Sequence, residues 1–308
     1  MRKYISVIIS LIVVLGIGYI VVNKKNQQRL IKSNQPNIGT FSKHQSCARP
    51  PQFLKKIHIA QPVMIDLSQK RFKGIAFLYG KDFKKVLHPK QWEQYEHFST
   101  YTVDEKGNIY LVPTPFISIR PTTFNLQKNI YKLDTQSGKI SIFMHFEDVL
   151  PSSNNPYGIN AITYDCDDKT LWVAAIDESD YQSQKGVIYH IDLQTKEILQ
   201  KIEGSDVLSM TLLRSSKGKF LLFGSARDHA LYALSIINGH VQKIPQKLLE
   251  LSTANEHIRK IKVIRKNRLE LQAIPFTYTL IAQTAKQERQ KYIVQWDEDR
   301  KSWSAVNK

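Results

Sequence analysis

Cysteine is scarce in this sequence: Cys47 and Cys166 are the only two among 308 residues. Neither has a second cysteine or a clustered histidine at the spacing that zinc sites use, which excludes a zinc finger. In an oxidising compartment the two thiols could pair, and closing so long a loop would stabilise the fold by about 4 kcal/mol in the chain-entropy model. Otherwise they stay free, and the sequence leaves both states open.

Recognisable catalytic motifs are also missing. The nine histidines include no His-Glu-x-x-His arrangement, and the chain has neither a Gly-x-Ser-x-Gly elbow nor a glycine-rich phosphate loop. These absences disfavour zincin proteases, α/β-hydrolases and P-loop enzymes. Long amphipathic helices are absent too, and only residues 245–256 show a helical period, where we predict one short helix.

Acidic residues are few compared with basic ones, 27 against 44, which gives a net charge of +17. The first 25 residues contain four basic residues and no acidic one, so the remainder carries 40 minus 27, or +13. Such a surface attracts polyanions, whether phospholipid head groups, acidic envelope polymers or nucleic acid. For an exported domain the first two are expected and nucleic acid is not, although the basicity could simply maintain solubility.

One uncharged apolar segment covers residues 4–22, with Tyr4 and Val22 at its ends. As a helix it would be roughly 28 Å long, which is enough to cross a bilayer once. No Ala-x-Ala pattern follows it, so we predict an uncleaved membrane anchor rather than a signal peptide. Lys24 and Lys25 alone would favour a cytoplasmic C-terminal part, but the short basic start is typical of export.

The chain therefore divides into an anchor or signal segment at 1–25, a polar linker at 26–54 and a globular domain at 55–308. We expect that domain to lie outside the cytoplasm, in the periplasm or on the cell surface, and to be secreted if the first segment is cleaved.

Beyond residue 55 short apolar runs alternate with Gly, Asn, Asp and Ser turns, which predicts β-strands. The pattern recurs: Tyr131, Tyr189 and Tyr232 occupy matching positions, 58 and 43 residues apart. Four-stranded units of about 40 residues bury little alone, but stacked around an axis they share a core. We predict an all-β fold, a β-propeller of five blades with six as the alternative. The units are 57–98, 99–150, 157–204, 206–252 and 257–307.

Two resemblances follow from these repeats. The hairpins that begin at Tyr131 and Tyr189, with Asp134 and Asp192 before their turns, resemble the outer hairpins of surface-layer and quinoprotein-type propellers. This likeness implies an architecture and no activity. Residues 156–173 (PYGINAITYDCDDKTLWV) are similar to a blade opening in the regucalcin and gluconolactonase family, related to strictosidine synthase.

The second resemblance implies a divalent cation on the propeller axis, calcium or zinc, held by Glu, Asn and Asp. Asn160 falls at the family's Asn, and Asp206 is the candidate for its Asp. The family's Glu is missing, because Gln61-Pro62-Val63 stands where it should be. A hard cation would polarise an ester carbonyl or activate water. The acidic turn at 165–168 is a second place where calcium could bind, unless its carboxylates simply face water.

A basic run lies at residues 257–268. On a strand, Lys260 and Lys262 would share a solvent face while Ile261 and Val263 point inward. We predict a patch for anionic lipid or polymer, with a merely solvated strand as the alternative. The six basic residues are Arg259, Lys260, Lys262, Arg265, Lys266 and Arg268, and the patch would be extended by Lys81, Lys84, Lys85 and Lys90.

The sequence thus favours a membrane-anchored extracytoplasmic propeller that acts as a binding or scaffolding module. Its expected partners are the membrane, an envelope protein, anionic lipid or an acidic polymer. The alternative is a metal-dependent lactonase or esterase similar to the gluconolactonase family.

Overall fold

The computed structural model describes residues 31–33, 37–43, 46–67, 72–95, 97–115, 124–242, 244–252, 256–279 and 289–306. The apolar segment at 4–22, predicted to be a membrane anchor, lies outside them. Within these ranges no helix combines the length and the apolar character that a bilayer crossing requires.

Five antiparallel sheets form the five blades of a β-propeller. Blade 1 has three strands: β2 (Met64–Asp66), β3 (Ala76–Tyr79) and β4 (Lys85–Leu87). Blade 2 contains β5 (Phe98–Val103), β6 (Ile109–Pro113), β7 (Asn129–Leu133) and β8 (Ile140–His145). Blade 3 contains β9 (Ile159–Asp165), β10 (Thr170–Ala175), β11 (Val187–Asp192) and β12 (Ile198–Glu203).

Blade 4 contains β13 (Val207–Ser215), β14 (Gly218–Ser225), β15 (Ala230–Ile237), β16 (His240–Val241) and β17 (Gln246–Leu251), and β1 (Ile31–Ser33) pairs with its outer edge. Blade 5 contains β18 (Glu256–Arg265), β19 (Arg268–Pro275), β20 (Gln290–Asp297) and β21 (Ser302–Ala305). The described helices are short: α1 (Gln52–Lys56) and three 3-10 turns at Lys81–Phe83, Lys90–Tyr95 and Phe124–Lys128.

The tyrosine repeat marks the third strand of three blades. Tyr131 lies on β7, Tyr189 on β11 and Tyr232 on β15, and the first two are buried. The hairpin after β7 turns at Gly138, which has a φ of +66° and lies against the ring of Phe53. The predicted repeat is therefore confirmed at the level of individual strands.

Apolar side chains are buried between neighbouring blades. Separate buried clusters join blades 1 and 2, blades 2 and 3, blades 3 and 4, and blades 4 and 5. Among the described residues no such cluster joins blade 5 to blade 1. Because burial of apolar area is the main force that stabilises the fold, four of the five interfaces hold the ring together.

Residues 37–58, which we call the strap, cross one end of the propeller. The backbone N–H of Phe41 donates to Asn267 Oδ1 in blade 5 at 2.8 Å, and that of Phe53 donates to the Thr135 carbonyl in blade 2 at 2.8 Å. Between these points a disulfide joins Cys47 to Cys166 in blade 3. We call this end the strap face, and the opposite end, where the inner strands begin, the funnel face.

Two expectations from the sequence need correction. Residues 37–43 and 46–54, expected to belong to a polar linker, instead pack on the blades as most of the strap. Residues 245–256, expected to be a helix, contain strand β17, where Leu248, Leu249 and Leu251 are buried. Pairing with β15 and burial of these leucines overrode the local helical period.

The strap disulfide gives a first prediction. Replacing both Cys47 and Cys166 by Ser should lower the free energy of unfolding by about 4 kcal/mol, because the bond closes a loop between residues 119 apart in sequence. Denaturant unfolding under non-reducing conditions measures the loss. Reducing agent should destabilise the wild-type protein equally and leave the double variant unchanged. A loss below about 1 kcal/mol would contradict the assignment.

A buried histidine lies between blades 3 and 4. The His190 ring stacks on Trp172, with centroids 3.8 Å apart, and its Nε2 lies 2.8 Å from Thr170 Oγ1. Burial lowers the pKa of His190 from 6.5 to about 4. The unfolded chain therefore takes up the proton first, so stability falls as the pH drops from 6.5 towards 4.

We predict that His190→Phe, which keeps a stacked ring but cannot titrate, loses about 3 kcal/mol less unfolding free energy than the wild-type protein between pH 7 and pH 4. Urea unfolding at several pH values measures this difference. His58→Asn removes an exposed histidine that does not act on His190, and it should retain the pH dependence of the wild-type protein. Identical pH profiles for His190→Phe and the wild-type protein would refute this explanation.

Candidate functional site

The inner strands of blades 3, 4 and 5 begin side by side at the funnel face. Arg259, near the start of β18, donates from Nη1 to Asn160 Oδ1 at 3.0 Å and to the Leu208 carbonyl at 3.2 Å. Asn160, near the start of β9, donates from Nδ2 to the Val207 carbonyl at 2.8 Å. The arginine thus extends from blade 5 past blade 4 to blade 3, and we call Arg259 with Asn160 the axial site.

The guanidinium of Arg259 has only neutral hydrogen-bond partners. Among the described residues no carboxylate forms an ion pair with it, and no acceptor bonds to its Nε or Nη2. Burial lowers the pKa of Arg259 below its ordinary value, and the neighbouring cation of Arg289 lowers it further. The residue is nevertheless partly exposed, so solvent can reach it.

Asp206 lies beside this site but is occupied by other contacts. It is 1% exposed, and its Oδ1 accepts hydrogen bonds from Ser179 Oγ and from the Gly186 N–H at 2.8 Å. Its Oδ2 accepts a hydrogen bond from the Tyr278 hydroxyl at 2.6 Å. Burial, and then the bond to Asp206, raise the pKa of Tyr278. Asp206 therefore fastens two funnel-face loops to the start of β13.

The metal site predicted on Asn160 and Asp206 stays a prediction, and the structure shows both side chains with other hydrogen-bond partners. Within the described ranges no group of three or more His, Cys, Asp or Glu residues is arranged to hold a metal ion. The Asn160 oxygen faces the Arg259 guanidinium, whose charge would repel a cation.

The carboxylates of the acidic turn at 165–168, considered for calcium, already have cationic partners. Lys219 Nζ contacts carboxylates of Asp165, Asp167 at 3.3 Å and Asp168 at 2.9 Å, and Arg214 contacts Asp167.

A cavity of about 540 Å³ adjoins the axial site between blades 4 and 5. Its wall includes Tyr181, Arg227, His229, His257, Phe276 and Tyr278. The Phe276 ring lies 5.4 Å from the Tyr157 ring. Burial raises the pKa of Tyr157, and the charge of the nearby Arg259 partly offsets that increase. Tyr157 therefore connects the cavity wall to the axial site.

The cavity contains a second arginine and two histidines. Arg227 Nη1 donates to the backbone carbonyls of Asp180 and Ser183. The rings of His229 and His257 are 5.1 Å apart, and burial lowers the pKa of His257. A wall of imidazole rings, aromatic rings and a cation suits a ligand that combines apolar surface with negative charge.

The six basic residues predicted to form one patch lie in three places. The guanidinium of Arg259 lies in the axial site, so this residue is not part of a surface patch. Lys260 and Lys262 are exposed on β18, whereas Ile261 is buried, as the strand pattern predicted. At the strap face Arg265 and Lys266 are exposed, and Arg268 donates to Gln295 Oε1 at 2.7 Å. They separate because β18 is a ten-residue strand whose two ends lie at opposite faces.

The blade 1 lysines of the predicted patch, Lys81, Lys84, Lys85 and Lys90, are all exposed.

Sequence reasoning missed the residues of the cavity wall. Tyr181, Arg227, Phe276 and Tyr278 all lie in loops between the second and third strands of blades 3, 4 and 5. Aligning the repeats by their tyrosines would have placed these loops at one end of the propeller, so a signal for them was present.

Comparisons with known proteins concern the fold. No family model matches the chain, and no curated protein matches its sequence. A glucose dehydrogenase structure is 14% identical, covers 73% of this chain and 76% of that chain, and has a TM-score of 0.41. A crystal structure of another glucose dehydrogenase is 12% identical, covers 73% and 78%, and has a TM-score of 0.45.

The PQQ-bound aldose sugar dehydrogenase from Streptomyces coelicolor is 9% identical, covers 80% of this chain and 100% of that chain, and has a TM-score of 0.28. The predicted resemblance to quinoprotein-type propellers is confirmed as a likeness of fold. These comparisons give no support to the likeness of residues 156–173 to regucalcin. At such identities they say nothing about activity.

The role of Asp206 gives a third prediction. Asp206→Asn should lower the free energy of unfolding by roughly 2 kcal/mol, because the amide turns a donor towards groups that donate to the carboxylate. Denaturant unfolding measures the loss, and the exposed Glu178→Gln serves as a charge-matched control. A metal site would instead make EDTA lower the thermal midpoint of the wild-type protein but not that of Asp206→Asn.

Proposed function

We propose that this protein is a membrane-anchored, extracytoplasmic binding module whose propeller takes a small anionic ligand at the axial site of the funnel face. The observation that carries this proposal is the Arg259 guanidinium, which is deeply set and has no negative partner among the described residues. A binding function of this kind needs no catalytic group.

The partly buried charge of Arg259 lowers the stability of the fold, and an anionic ligand can offset this cost. Removing a charge from water is unfavourable unless an opposite charge or good hydrogen bonds compensate for it. Arg259 has two hydrogen bonds, both from Nη1, and both to neutral oxygens. Its Nε and Nη2 remain as donors for the paired oxygens of a carboxylate, phosphate or sulfate.

The surroundings fit a ligand larger than a bare ion. Arg289 adds a second cation near Arg259, and the adjoining cavity has room for a small organic molecule, at about 540 Å³. Phe276 and Tyr278 supply apolar ring surface, and Arg227 supplies a further positive charge. These features support an organic anion with one or two acidic groups.

Two further features support the proposed cellular location of the protein. The apolar segment at 4–22 supports a single membrane anchor. The disulfide between Cys47 and Cys166 supports an oxidising compartment, because such bonds persist outside the reducing cytosol.

A fourth prediction tests the axial site. We expect glucuronate, citrate or sulfate to raise the thermal midpoint of the full-length protein in detergent, whereas glucose, the neutral counterpart of glucuronate, should not. Arg259→Met should weaken the binding of the stabilising anion by about 2 kcal/mol or more, roughly 30-fold, because it removes a charged hydrogen-bond donor. Thermal shift finds the anion, and isothermal titration calorimetry measures its affinity.

The thermal stability of Arg259→Met without ligand is an independent control. Arg259→Met removes a charge without a countercharge but also leaves Asn160 Oδ1 and the Leu208 carbonyl without their donor, so these two effects on stability oppose each other. The thermal midpoint of the variant is therefore measured first, and binding is compared at a temperature where both proteins are folded. Lys262→Met removes an exposed cation from the same strand and should leave the affinity unchanged. Equal losses in the two variants, or no effect of any anion in the panel, would refute the proposed site.

A further inference from the structure

The strap carries positive charge of one sign only. Residues 37–58 contain Lys43, Arg49, Lys55 and Lys56, and no Asp or Glu. All four are exposed, and Lys56 donates to the Gln136 carbonyl. Among the described residues none of the other three has an ion pair. The strap therefore presents free cations to the solvent across the strap face.

Hairpin tips at the same face add further cations. Lys217 lies in the turn between β13 and β14, and Arg265 and Lys266 lie at the turn between β18 and β19. All three are exposed, and none of them forms an ion pair with another described residue. Together with Lys43, Arg49 and Lys55 of the strap, these three residues make six exposed cations at one end of the propeller.

Acidic residues at this face are occupied by internal contacts. Lys219 and Arg214 pair with carboxylates of the turn at 165–168, and Lys169 pairs with Glu105 at 3.2 Å. Three others accept backbone N–H groups in their own turns and keep their negative charge: Asp134, Asp192 and Asp297. The positive excess at this face therefore comes from the strap, which contains no acidic residue, and from the turns at Lys217 and at Arg265 and Lys266.

We infer that the strap face docks on the anionic phospholipid surface of the membrane that carries the N-terminal anchor. This inference rests on the anchoring part of the proposed function and is independent of the axial site. Only eight residues separate Val22 at the end of the apolar segment from Ile31 at the start of β1, so the propeller stays within about 30 Å of the anchor.

Ile31 pairs with Leu251 at the end of β17, on the funnel-face side of blade 4, but a nearly extended tether of this length can still run along the blade edge past the strap face. Either face can therefore approach the bilayer, and charge selects between them. Each Lys or Arg near an anionic lipid surface strengthens its attraction by roughly fivefold, and the effect fades within a Debye length. The tether also favours lipid over a soluble acidic polymer, because it holds the cations at high effective concentration near the head groups.

The test uses the full chain in lipid nanodiscs made of phosphatidylcholine alone or of phosphatidylcholine and phosphatidylglycerol at about 7:3. We expect backbone amides of the strap and of turns 215–218 and 265–268 to exchange hydrogen several-fold more slowly in the anionic discs. High salt should abolish the difference, because the attraction is screened. Amides of the funnel-face loops 226–229 and 275–279 should exchange equally in both discs.

Two charge-matched variants separate docking from general basicity. Lys217→Gln with Lys266→Gln removes two strap-face cations and should weaken the protection markedly. Lys128→Gln with Lys185→Gln removes two cations from funnel-face loops and should leave the protection intact. Both pairs lie on turns or loops with an exposed or partly exposed side chain, so each variant is expected to fold.

Four results would overturn the inference. They are equal exchange in neutral and anionic discs, protection of the funnel face instead, equal effects of the two variants, and protection by soluble polyglutamate but not by anionic discs. Failure of the chain to co-purify with discs would refute the anchoring as well. None of these results bears on anion binding at Arg259, which is measured separately.

Discussion

Contact between neighbouring blades is the interaction on which the rest of this structure depends. A twisted sheet of three or four strands has two faces and cannot bury either alone, so each blade relies on its neighbours. Large side chains such as Trp172 are fully buried between blades 3 and 4. On the face of blade 5 turned away from blade 4, by contrast, Lys260 and Lys262 are exposed and Glu270 pairs with Lys291 at 3.0 Å.

The strap compensates for the interface that lacks an apolar cluster among the described residues. It contacts blade 5 through Asn267, blade 3 through Cys166 and blade 2 through Thr135, so one segment ties together blades that are not all neighbours. The disulfide restricts the unfolded chain, whereas the hydrogen bonds act in the folded state. The strap thus stabilises, at one end of the propeller, a ring in which the described residues form no apolar cluster between blades 5 and 1.

The architecture could be predicted from the sequence because it rests on local patterns that repeat. Alternating apolar residues and glycine or aspartate turns specify each hairpin, and matched tyrosines reveal the period. Where a pattern was weak, pairing decided the outcome: residues 245–256 have a helical period, but the edge of β15 was available, and β17 formed there. Strand pairing between distant segments leaves no mark in a short window of sequence.

The axial site could be predicted only in part, because its contacts cross blades. The family resemblance singled out Asn160, which lies near the start of inner strand β9, but it implied a cation beside this residue. The basic run selected Arg259 but implied an outward side chain. Their meeting, 99 residues apart in sequence, follows from inner strands that begin at the same face, which requires knowing how the blades are arranged. Once they meet, electrostatics excludes the cation and favours an anion.

We propose that charge divides the two faces of the propeller between two tasks. Outward cations at the strap face act through long-range attraction, which needs no exact fit and is weakened by salt. The single deep cation at the funnel face acts at short range, through directed hydrogen bonds in a less polar setting. With the strap face on the lipid, the axial site opens away from the bilayer towards the aqueous phase. A soluble anion can then reach Arg259 without competing with phospholipid head groups for the same charge.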